Sequence, residues 1–214
     1  LDDTHPDLLD FIGCKVAEED KARALIAAGW DGSFGVAGGA YESVAFQNAN
    51  HTVRLSDGLM EAARDGRDWS LTAVTTGEPL HTMPAKELLG VIAQAAWACG
   101  DPGVQFSDTV NRWHTCPSAG PIRASNPCGE FVFLDDSACN LSSLNLLRFL
   151  EDDGSFDVVR FEAAVERLVG AMDVLVDRAS YPLPRAAQQA HTYRPLGLGF
   201  TNLGALLMSL GLPY

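Results

Sequence analysis

The segment from Asn126 to Glu130 carries three chemically useful side chains within five residues. Asn126-Pro127-Cys128-Gly129-Glu130 has an amide two residues before a thiol and a carboxylate two residues after it. In an extended segment, alternate side chains share one face about 7 Å apart, so a group of the size of a sugar ring could contact all three. Pro127 lacks a backbone donor and Gly129 relaxes φ, which predicts a loop tip or a sheet edge.

Plainer interpretations of the same residues stay open at this point. A lone cysteine is most often a small core hydrophobe, which would give Cys128 a packing role in a Pro/Gly turn. Asn126 could cap that turn, with Glu130 simply solvated. A thiol hydrolase with Cys128 as nucleophile is another alternative. It requires a positioned histidine base, and no nearby feature of the sequence designates one.

A second thiol, Cys139, lies eleven residues downstream in DDSACNLSSLNL (135–146), between short apolar segments. The other cysteines, Cys14, Cys99 and Cys116, are interpreted as structural. Five scattered cysteines without a C-x-x-C pair disfavour a disulfide scaffold or a zinc site. The histidines also lack ligand spacing, so we predict no metal site.

These motifs resemble the ribonucleotide reductases. The NPCGE form is most similar to the adenosylcobalamin-dependent class II enzymes, whereas iron-dependent class I enzymes commonly have an NLC form. Further segments resemble class II in the expected order along essentially the whole chain: HPDLLDFIGCKV (5–16), AFQNANHTVRLSDGLM (45–60), AWACGDPGVQF (96–106), NRWHTCP (111–117) and RPLGLGFTNLGALLMSLGLPY (194–214).

The resemblance implies a role for each residue of the first motif. Cys128, on a finger loop, becomes a thiyl radical and takes the 3′-hydrogen of a ribonucleotide. Glu130 acts as a base on the 3′-hydroxyl, a role that suits a carboxylate within hydrogen-bond reach. Asn126 orients the ribose hydroxyls, and Cys139 is one of two reducing thiols that close to a disulfide. The implied substrate-binding residues are Ser125, Asn126, Pro127, Cys128, Gly129 and Glu130.

The resemblance also implies a cofactor and partners. The cofactor is adenosylcobalamin, the substrate is a ribonucleoside di- or triphosphate, and the reductant is of the thioredoxin type. The glycine-rich loop at residues 29–50 corresponds in position to one that, in this family, links a deoxynucleotide effector at a homodimer interface to the substrate base. The alternative is an ordinary surface insertion, and no single residue of the loop is assigned to an effector.

The chain is predicted to be an internal fragment of a catalytic domain, because it starts without Met at Leu1 and ends at Tyr214 just after an apolar helix-like run. By the resemblance, the second reducing cysteine precedes Leu1, and a cysteine pair that re-reduces the site follows Tyr214. We therefore expect residues 1–214 to be inactive alone.

The composition limits the classes of partner. With 47% hydrophobic and 20% charged residues, the 214-residue chain can form one sizeable globular domain. Its 28 acidic and 15 basic residues give a net charge of −13, which argues against nucleic acid or an anionic membrane as a general partner. The sequence lacks an apolar stretch of membrane-spanning length and a signal-like start, which predicts a cytoplasmic protein.

Hydrophobic periodicity predicts an α/β chain in one domain. Helices are expected from Leu8 to about Ala28, from Pro84 to Cys99 and from Phe156 to Ala179. Strands are expected near residues 69–75, 104–106, 131–134 and 141–147, with a hairpin at Gly77. The resemblance further implies part of a ten-stranded α/β barrel around a central finger loop at residues 125–130.

The segment from Pro195 to Gly199 is predicted to form a tight glycine-rich turn that leads into a helical run from Leu203 to Leu210. Its lone G-x-G is weak evidence for phosphate binding, and close helix packing explains it as well.

Two other functions stay open. A class I reductase would take its radical from a separate metal-containing subunit. A non-catalytic nucleotide-binding module would keep the fold without the reaction, although the presence of both Cys128 and Cys139 speaks against it.

Overall fold

The computed structural model describes residues 1–214, which divide into two compact units, 1–133 and 134–214. The first unit contains α1 (Leu8–Ala27), β1 (Thr52–Leu55), α2 (Asp57–Asp65), β2 (Asp68–Thr72), β3 (Pro79–Pro84), α3 (Ala85–Cys99), β4 (Gly103–Phe106), α4 (Ser107–Arg112), β5 (Ala124–Ser125) and β6 (Val132–Phe133), with short 3₁₀ turns at Ala40–Glu42 and Pro117–Ala119.

The first unit packs its helices around two strand pairs. β1 runs parallel to β4, with Thr52 opposite Gly103, and β2 forms an antiparallel hairpin with β3. Removing the apolar side chains of this core from water is its main stabilising contribution. The buried residues that form the core are Leu8, Ile12, Val53, Leu55, Leu59, Ala62, Leu71, Ala85, Leu88, Ile92 and Ala95.

Local signals in the sequence set the helix ends. The Ser56 side chain accepts a hydrogen bond from the Leu59 amide and so caps the start of α2. Gly100 ends α3 with a φ of 83°, a left-handed conformation that glycine adopts without strain. The predicted bounds of α1 and α3 and the predicted hairpin at Gly77 are confirmed. The sequence reading did not assign the two short helices α2 and α4.

The second unit contains β7 (Asn140–Asn145), a 3₁₀ turn (Leu146–Phe149), α5 (Val158–Arg178), α6 (Pro184–Tyr193), β8 (Leu196–Thr201) and α7 (Leu203–Ser209). β7 and β8 are parallel, with Asn140 opposite Leu196 and Asn145 opposite Thr201. Met172 and Val176 of α5 are buried, whereas Val158 and Leu175 are more than half exposed. The buried stripe of α5 is therefore narrower than its apolar periodicity predicts.

The prediction of a tight turn from Pro195 to Gly199 is wrong, because this segment lies in strand β8. Neither Gly197 nor Gly199 has a positive φ. A Cβ atom at Gly197 would lie 2.5 Å from Leu141 Cδ2 on the neighbouring strand. This glycine therefore allows two strands to approach closely and does not reverse the chain.

The expected α/β content is confirmed. The eight strands form four two-stranded sheets and do not close into a barrel within these residues. None of the helices combines the length and the apolar character that crossing a lipid bilayer requires.

Candidate functional site

Cys128 lies at the tip of a hairpin in the first unit. Strands β5 and β6 pair antiparallel, with Ser125 opposite Val132. Beyond this pair, the Asn126 amide donates to the Phe131 carbonyl at 3.1 Å, and the Gly129 amide donates to the Asn126 carbonyl at 3.1 Å. The prediction of a loop tip is confirmed. We call residues 126–131 the Cys128 turn.

The extended geometry in which Asn126, Cys128 and Glu130 would share one strand face does not occur. Gly129 has a φ of 82°, in the left-handed region that favours glycine, and residues 127–130 form turns and bends. The chain therefore reverses at the position where an extended strand would continue. The three side chains still belong to one six-residue turn.

The Asn126 side chain has a fixed orientation in this turn. Its Oδ1 atom accepts a hydrogen bond of 2.9 Å from the Phe131 amide, and the residue is half-buried. Because this bond occupies the carbonyl end of the amide, the Nδ2 group remains as the donor that a ligand could use. A hydroxyl group is a suitable acceptor for it.

Cys128 and Glu130 are exposed, and neither side chain forms a hydrogen bond or an ion pair within the chain. A packing role for Cys128 in an apolar core is therefore wrong, because its thiol is not buried. The thiol and the carboxylate are both free to contact a ligand at the turn.

The start of the turn is attached to the parallel strands of the first unit. Gln105 of β4 donates from Nε2 to the Ser125 hydroxyl, which in turn donates to the Asn126 carbonyl at 2.7 Å. Arg54 of β1 donates to the carbonyls of Ile122 and Arg123 at 3.0 and 2.6 Å. These side chains hold the segment that leads into β5.

A cavity of about 380 Å³ adjoins the turn. This volume lies within the range of small-molecule sites. The lining combines polar and positively charged side chains with four apolar residues, Leu1, Phe11, Ala124 and Pro127. The lining residues are Leu1, Phe11, Asn48, Asn50, His51, Thr52, Arg54, Gln105, Arg123, Ala124, Ser125, Asn126 and Pro127.

The segment at residues 48–52 contributes one wall of this cavity, and sequence reasoning missed its role. Asn50 donates from Nδ2 to the Pro127 carbonyl at 2.8 Å. The His51 ring stacks on Phe11, with centroids 4.4 Å apart and an angle of 18° between the rings. Burial of His51, aided by the positive charge of Lys15, lowers the pKa of the imidazole from 6.5. At neutral pH, His51 is therefore an uncharged part of the wall.

A family model, described as "Ribonucleotide reductase, barrel domain", matches residues 1–214. The chain belongs to this ribonucleotide reductase family. The match covers both compact units, so the hairpin with Cys128 and the β7–β8 pair belong to one family domain.

Curated relatives agree with this assignment. The chain is 54% identical to the vitamin B12-dependent ribonucleotide reductase of Rhodopirellula baltica over 98% of the chain and 20% of that relative. It is 49% identical to the protein of the same description from Streptomyces coelicolor, over all of the chain and 22% of the relative. It is 35% identical to a vitamin B12-dependent ribonucleoside-diphosphate reductase of Mycobacterium tuberculosis, over all of the chain and 27% of the relative. The chain thus spans about a fifth to a quarter of the length of these relatives.

Cys139 of this ribonucleotide reductase domain lies in the second unit, directly before β7. The residue is half-buried, and its Sγ atom lies 3.5 Å from the Asn140 carbonyl oxygen. Asn140 donates from Nδ2 to the Met172 carbonyl of α5 at 3.0 Å. A Cβ atom at Gly197 would lie 3.6 Å from the Cys139 sulfur. The second thiol is therefore held where a strand, a helix and a glycine meet.

The other cysteines of the domain lie away from the Cys128 turn in the chain and in their contacts. Cys14 Sγ contacts His51 Nδ1 at 3.6 Å, and Cys99 donates to the Ala95 carbonyl at 3.4 Å. Cys116 is half-buried. No group of three or more His, Cys, Asp or Glu side chains has an arrangement that could hold a metal ion.

Proposed function

We propose that this chain is part of an adenosylcobalamin-dependent ribonucleotide reductase, which converts ribonucleotides to 2′-deoxyribonucleotides for DNA synthesis. One observation carries this proposal. In a chain of the reductase family, an exposed thiol, an exposed carboxylate and an amide with a free donor end occupy one turn, and Asn126 and Pro127 of this turn line a cavity of small-molecule size.

In the proposed reaction, the Cys128 thiyl takes the hydrogen atom from C3′ of the ribose, so that an S–H bond forms and a C3′ radical remains. The Glu130 carboxylate accepts the proton of the 3′-hydroxyl. The free Nδ2 group of Asn126 donates to a ribose hydroxyl and holds the sugar against the turn. The C2′–O bond breaks as the 2′-hydroxyl takes a proton from one reducing thiol and leaves as water, and a hydrogen atom from the other reducing thiol forms the new C2′–H bond. The remaining electron of the thiol pair and the proton held by Glu130 restore the 3′-hydroxyl.

Cys139 and a second thiol, from another part of the longer protein, supply the two electrons. They become a disulfide, and Cys128 returns its hydrogen atom to C3′ at the end of the cycle. One ribonucleotide and two thiols thus give one deoxyribonucleotide, one disulfide and one water. The proposal for Cys139 rests on the resemblance and on its half-buried position at the start of β7.

The names of the relatives support adenosylcobalamin as the cofactor in preference to a radical from a separate subunit. The residues of this chain fit the cofactor in one respect, since the Cys128 thiol is exposed and unpartnered and can be reached by a radical carrier. The cavity of about 380 Å³ suits a nucleoside and is too small for a corrin. The chemistry that the cofactor supplies when bound is the one-electron oxidation of Cys128.

The finer structural and biological assignments belong to the same proposal. In the complete protein, residues 1–214 would form part of a ten-stranded α/β barrel, with the Cys128 turn as its finger loop. The substrate would be a ribonucleoside di- or triphosphate, with a thioredoxin-type reductant, a deoxynucleotide effector, a homodimer and a cytoplasmic location. The description of one relative as a ribonucleoside-diphosphate reductase supports a phosphorylated substrate.

Substitution of the radical cysteine tests this function. In the intact protein, we expect Cys128→Ser to lower the rate of deoxynucleotide formation by about 10³-fold or more, because a serine hydroxyl is not oxidised in place of a thiol. Cys116→Ser, in the same unit, is the matched control and should keep parent activity. Parent activity of Cys128→Ser would refute the proposal.

A further inference from the structure

Two side chains outside the Cys128 turn donate hydrogen bonds to it: that of Ser125, the residue just before the turn, and that of Asn50, which is distant in the sequence. Asn50 Nδ2 donates to the carbonyl oxygen of Pro127 at 2.8 Å. This carbonyl belongs to the peptide group that joins Pro127 to Cys128, so the bond acts on the backbone beside the thiol. Apart from the bond that Ser125 donates to the Asn126 carbonyl, the other bonds join Asn126 to Gly129 and Phe131 within the turn.

The backbone on the N-terminal side of Asn50 is fixed by an ion pair. The Lys15 ammonium group of α1 donates to the Ala49 carbonyl and pairs with the Asp101 carboxylate. The side chains of Lys15 and Asp101 are only 16% and 24% exposed. Solvent screens a pair of this kind less than a surface pair. The peptide group that precedes Asn50 is therefore attached to α1 through Lys15, whose ammonium group is held in turn by Asp101.

The backbone on the C-terminal side is fixed by His51. Its carbonyl accepts from the Gly103 amide at 2.8 Å, and its ring stacks on Phe11 and contacts the Cys14 sulfur. Asn50 therefore projects from a segment that is held on both sides. An amide on a rigid segment can fix the position of its hydrogen-bond partner at little cost in conformational entropy.

We propose that Asn50 is a positioning residue for Cys128, which fixes the peptide group beside the thiol relative to the cavity. This inference rests on the proposed radical role of Cys128. Asn50 contacts no reacting atom, and its effect reaches the thiol through the Pro127 carbonyl.

Local hydrogen exchange and steady-state kinetics of the intact protein test the proposal. Asn50→Ala removes the donor, and Asn50→Asp replaces it with an acceptor of the same shape. We expect the exchange of peptides that cover the Cys128 turn to rise by about three- to tenfold in both variants, the size that loss of one hydrogen bond gives. Misplacement of the thiol should lower kcat by about tenfold or more with KM within about twofold.

Asn48→Ala is the matched control for exchange, since Asn48 lies in the same segment and lines the same cavity without a hydrogen bond to the turn. In Asn48→Ala, the peptides that cover the Cys128 turn should exchange at the parent rate. Parent exchange in the turn, increased exchange throughout residues 1–133, or parent kcat in the Asn50 variants would each overturn the proposal. An active Cys128→Ser variant would refute the reductase function without changing the exchange result, so the two failures are distinguishable.

Discussion

The two thiols that the family resemblance singles out lie in structurally opposite surroundings. Cys128 is exposed on a turn whose strands, β5 and β6, are only two residues long. Cys139 is half-buried at the start of the six-residue strand β7, which pairs along its whole length with β8. One thiol projects from its unit, and the other is part of a packed layer.

This difference suits the two proposed reactions. A thiyl radical must reach a sugar carbon, which requires a turn that projects and side chains that are free of other partners. A reducing thiol must keep its distance from a second thiol through many cycles, which favours fixed backbone on both sides. Substitutions at the Cys128 turn should therefore lower activity without loss of stability, whereas those around Cys139 should also lower stability.

Among substitutions that test this difference between the Cys128 turn and the surroundings of Cys139, we expect the largest loss of activity at Glu130. In the intact protein, Glu130→Gln should lower kcat by about 10²- to 10⁴-fold, the usual size of general-base catalysis. The melting temperature should stay within about a degree of the parent, because the side chain is exposed and unpartnered. Activity assays and calorimetry on the same samples measure both quantities. A large loss of stability with normal kcat would mean that Glu130 stabilises the fold and does not take part in catalysis.

Cys139→Ser should distinguish the roles of the two thiols, because it should lower repeated turnover and leave radical formation at Cys128 intact. We expect sustained turnover with a thioredoxin-type reductant to fall by about 10²-fold or more, because one half of the reducing pair is missing. In the proposed mechanism, oxidation of Cys128 does not involve Cys139, so formation of a radical at Cys128 should persist in this variant. Electron paramagnetic resonance of the rapidly frozen, cofactor-loaded protein measures it. Sustained turnover at the parent rate would exclude Cys139 from the reducing pair.

The long helices and the character of the site could be predicted from the sequence. The apolar spacing in α3 indicates its buried face, and Gly100 marks its end. Pro127 and Gly129 in the pentapeptide predict a loop tip, which the structure confirms. These predictions succeed because helix periodicity and the constraints of proline and glycine act within a few residues.

Features that depend on distant residues could not be predicted in this way. Gly197 pairs with Leu141, which is 56 positions away in the sequence. Because this partner is not visible locally, the glycines of PLGLG predict a turn, although the segment forms a strand. Asn50 and Pro127 are 77 positions apart, and nothing in the polar run QNAN indicates which amide reaches the turn. The roles proposed for Cys139 and Glu130 come from the resemblance and stay predictions.

Substitution of Arg194 should show how strongly the stability of the second unit, which contains Cys139, depends on the contacts of α5. Its guanidinium group bonds Asp173 Oδ1 at 2.6 Å and Asp177 Oδ1 at 2.8 Å, just before β8. This pairing holds the pKa of Asp177 below its usual 3.8. Arg194→Ala should lower the melting temperature of the intact protein by a few degrees at pH 7.

The pH dependence of the Arg194 effect follows from the direction of this shift. A carboxylate with a lowered folded-state pKa contributes stability above its unfolded value, and the contribution is lost as the pH falls through the folded value. The difference between parent and Arg194→Ala should therefore be full above about pH 5 and shrink below 3.8. Calorimetry at several pH values measures it. A difference independent of pH would mean that the ion pair does not contribute.

The smallest effect concerns the close approach of β7 and β8. In Gly197→Ala, the new methyl group would displace Leu141 Cδ2, which is the end of a side chain that is 62% exposed. Because Leu141 can rotate, the cost should be about 1 kcal/mol, the size of a strained rotamer. In a Leu141→Ala background this cost disappears, so the double-mutant cycle should give a coupling of about 1 kcal/mol.

Gly199→Ala is the matched control for this cycle, because a Cβ atom at Gly199 meets only Ser143 Oγ at an ordinary 3.7 Å. It should show no coupling to Leu141→Ala. Urea unfolding followed by circular dichroism gives the four free energies of each cycle. The absence of coupling at Gly197 as well would mean that the strand pair tolerates a side chain at both positions. The packed layer that holds Cys139 would then be no more constrained than the turn that carries Cys128.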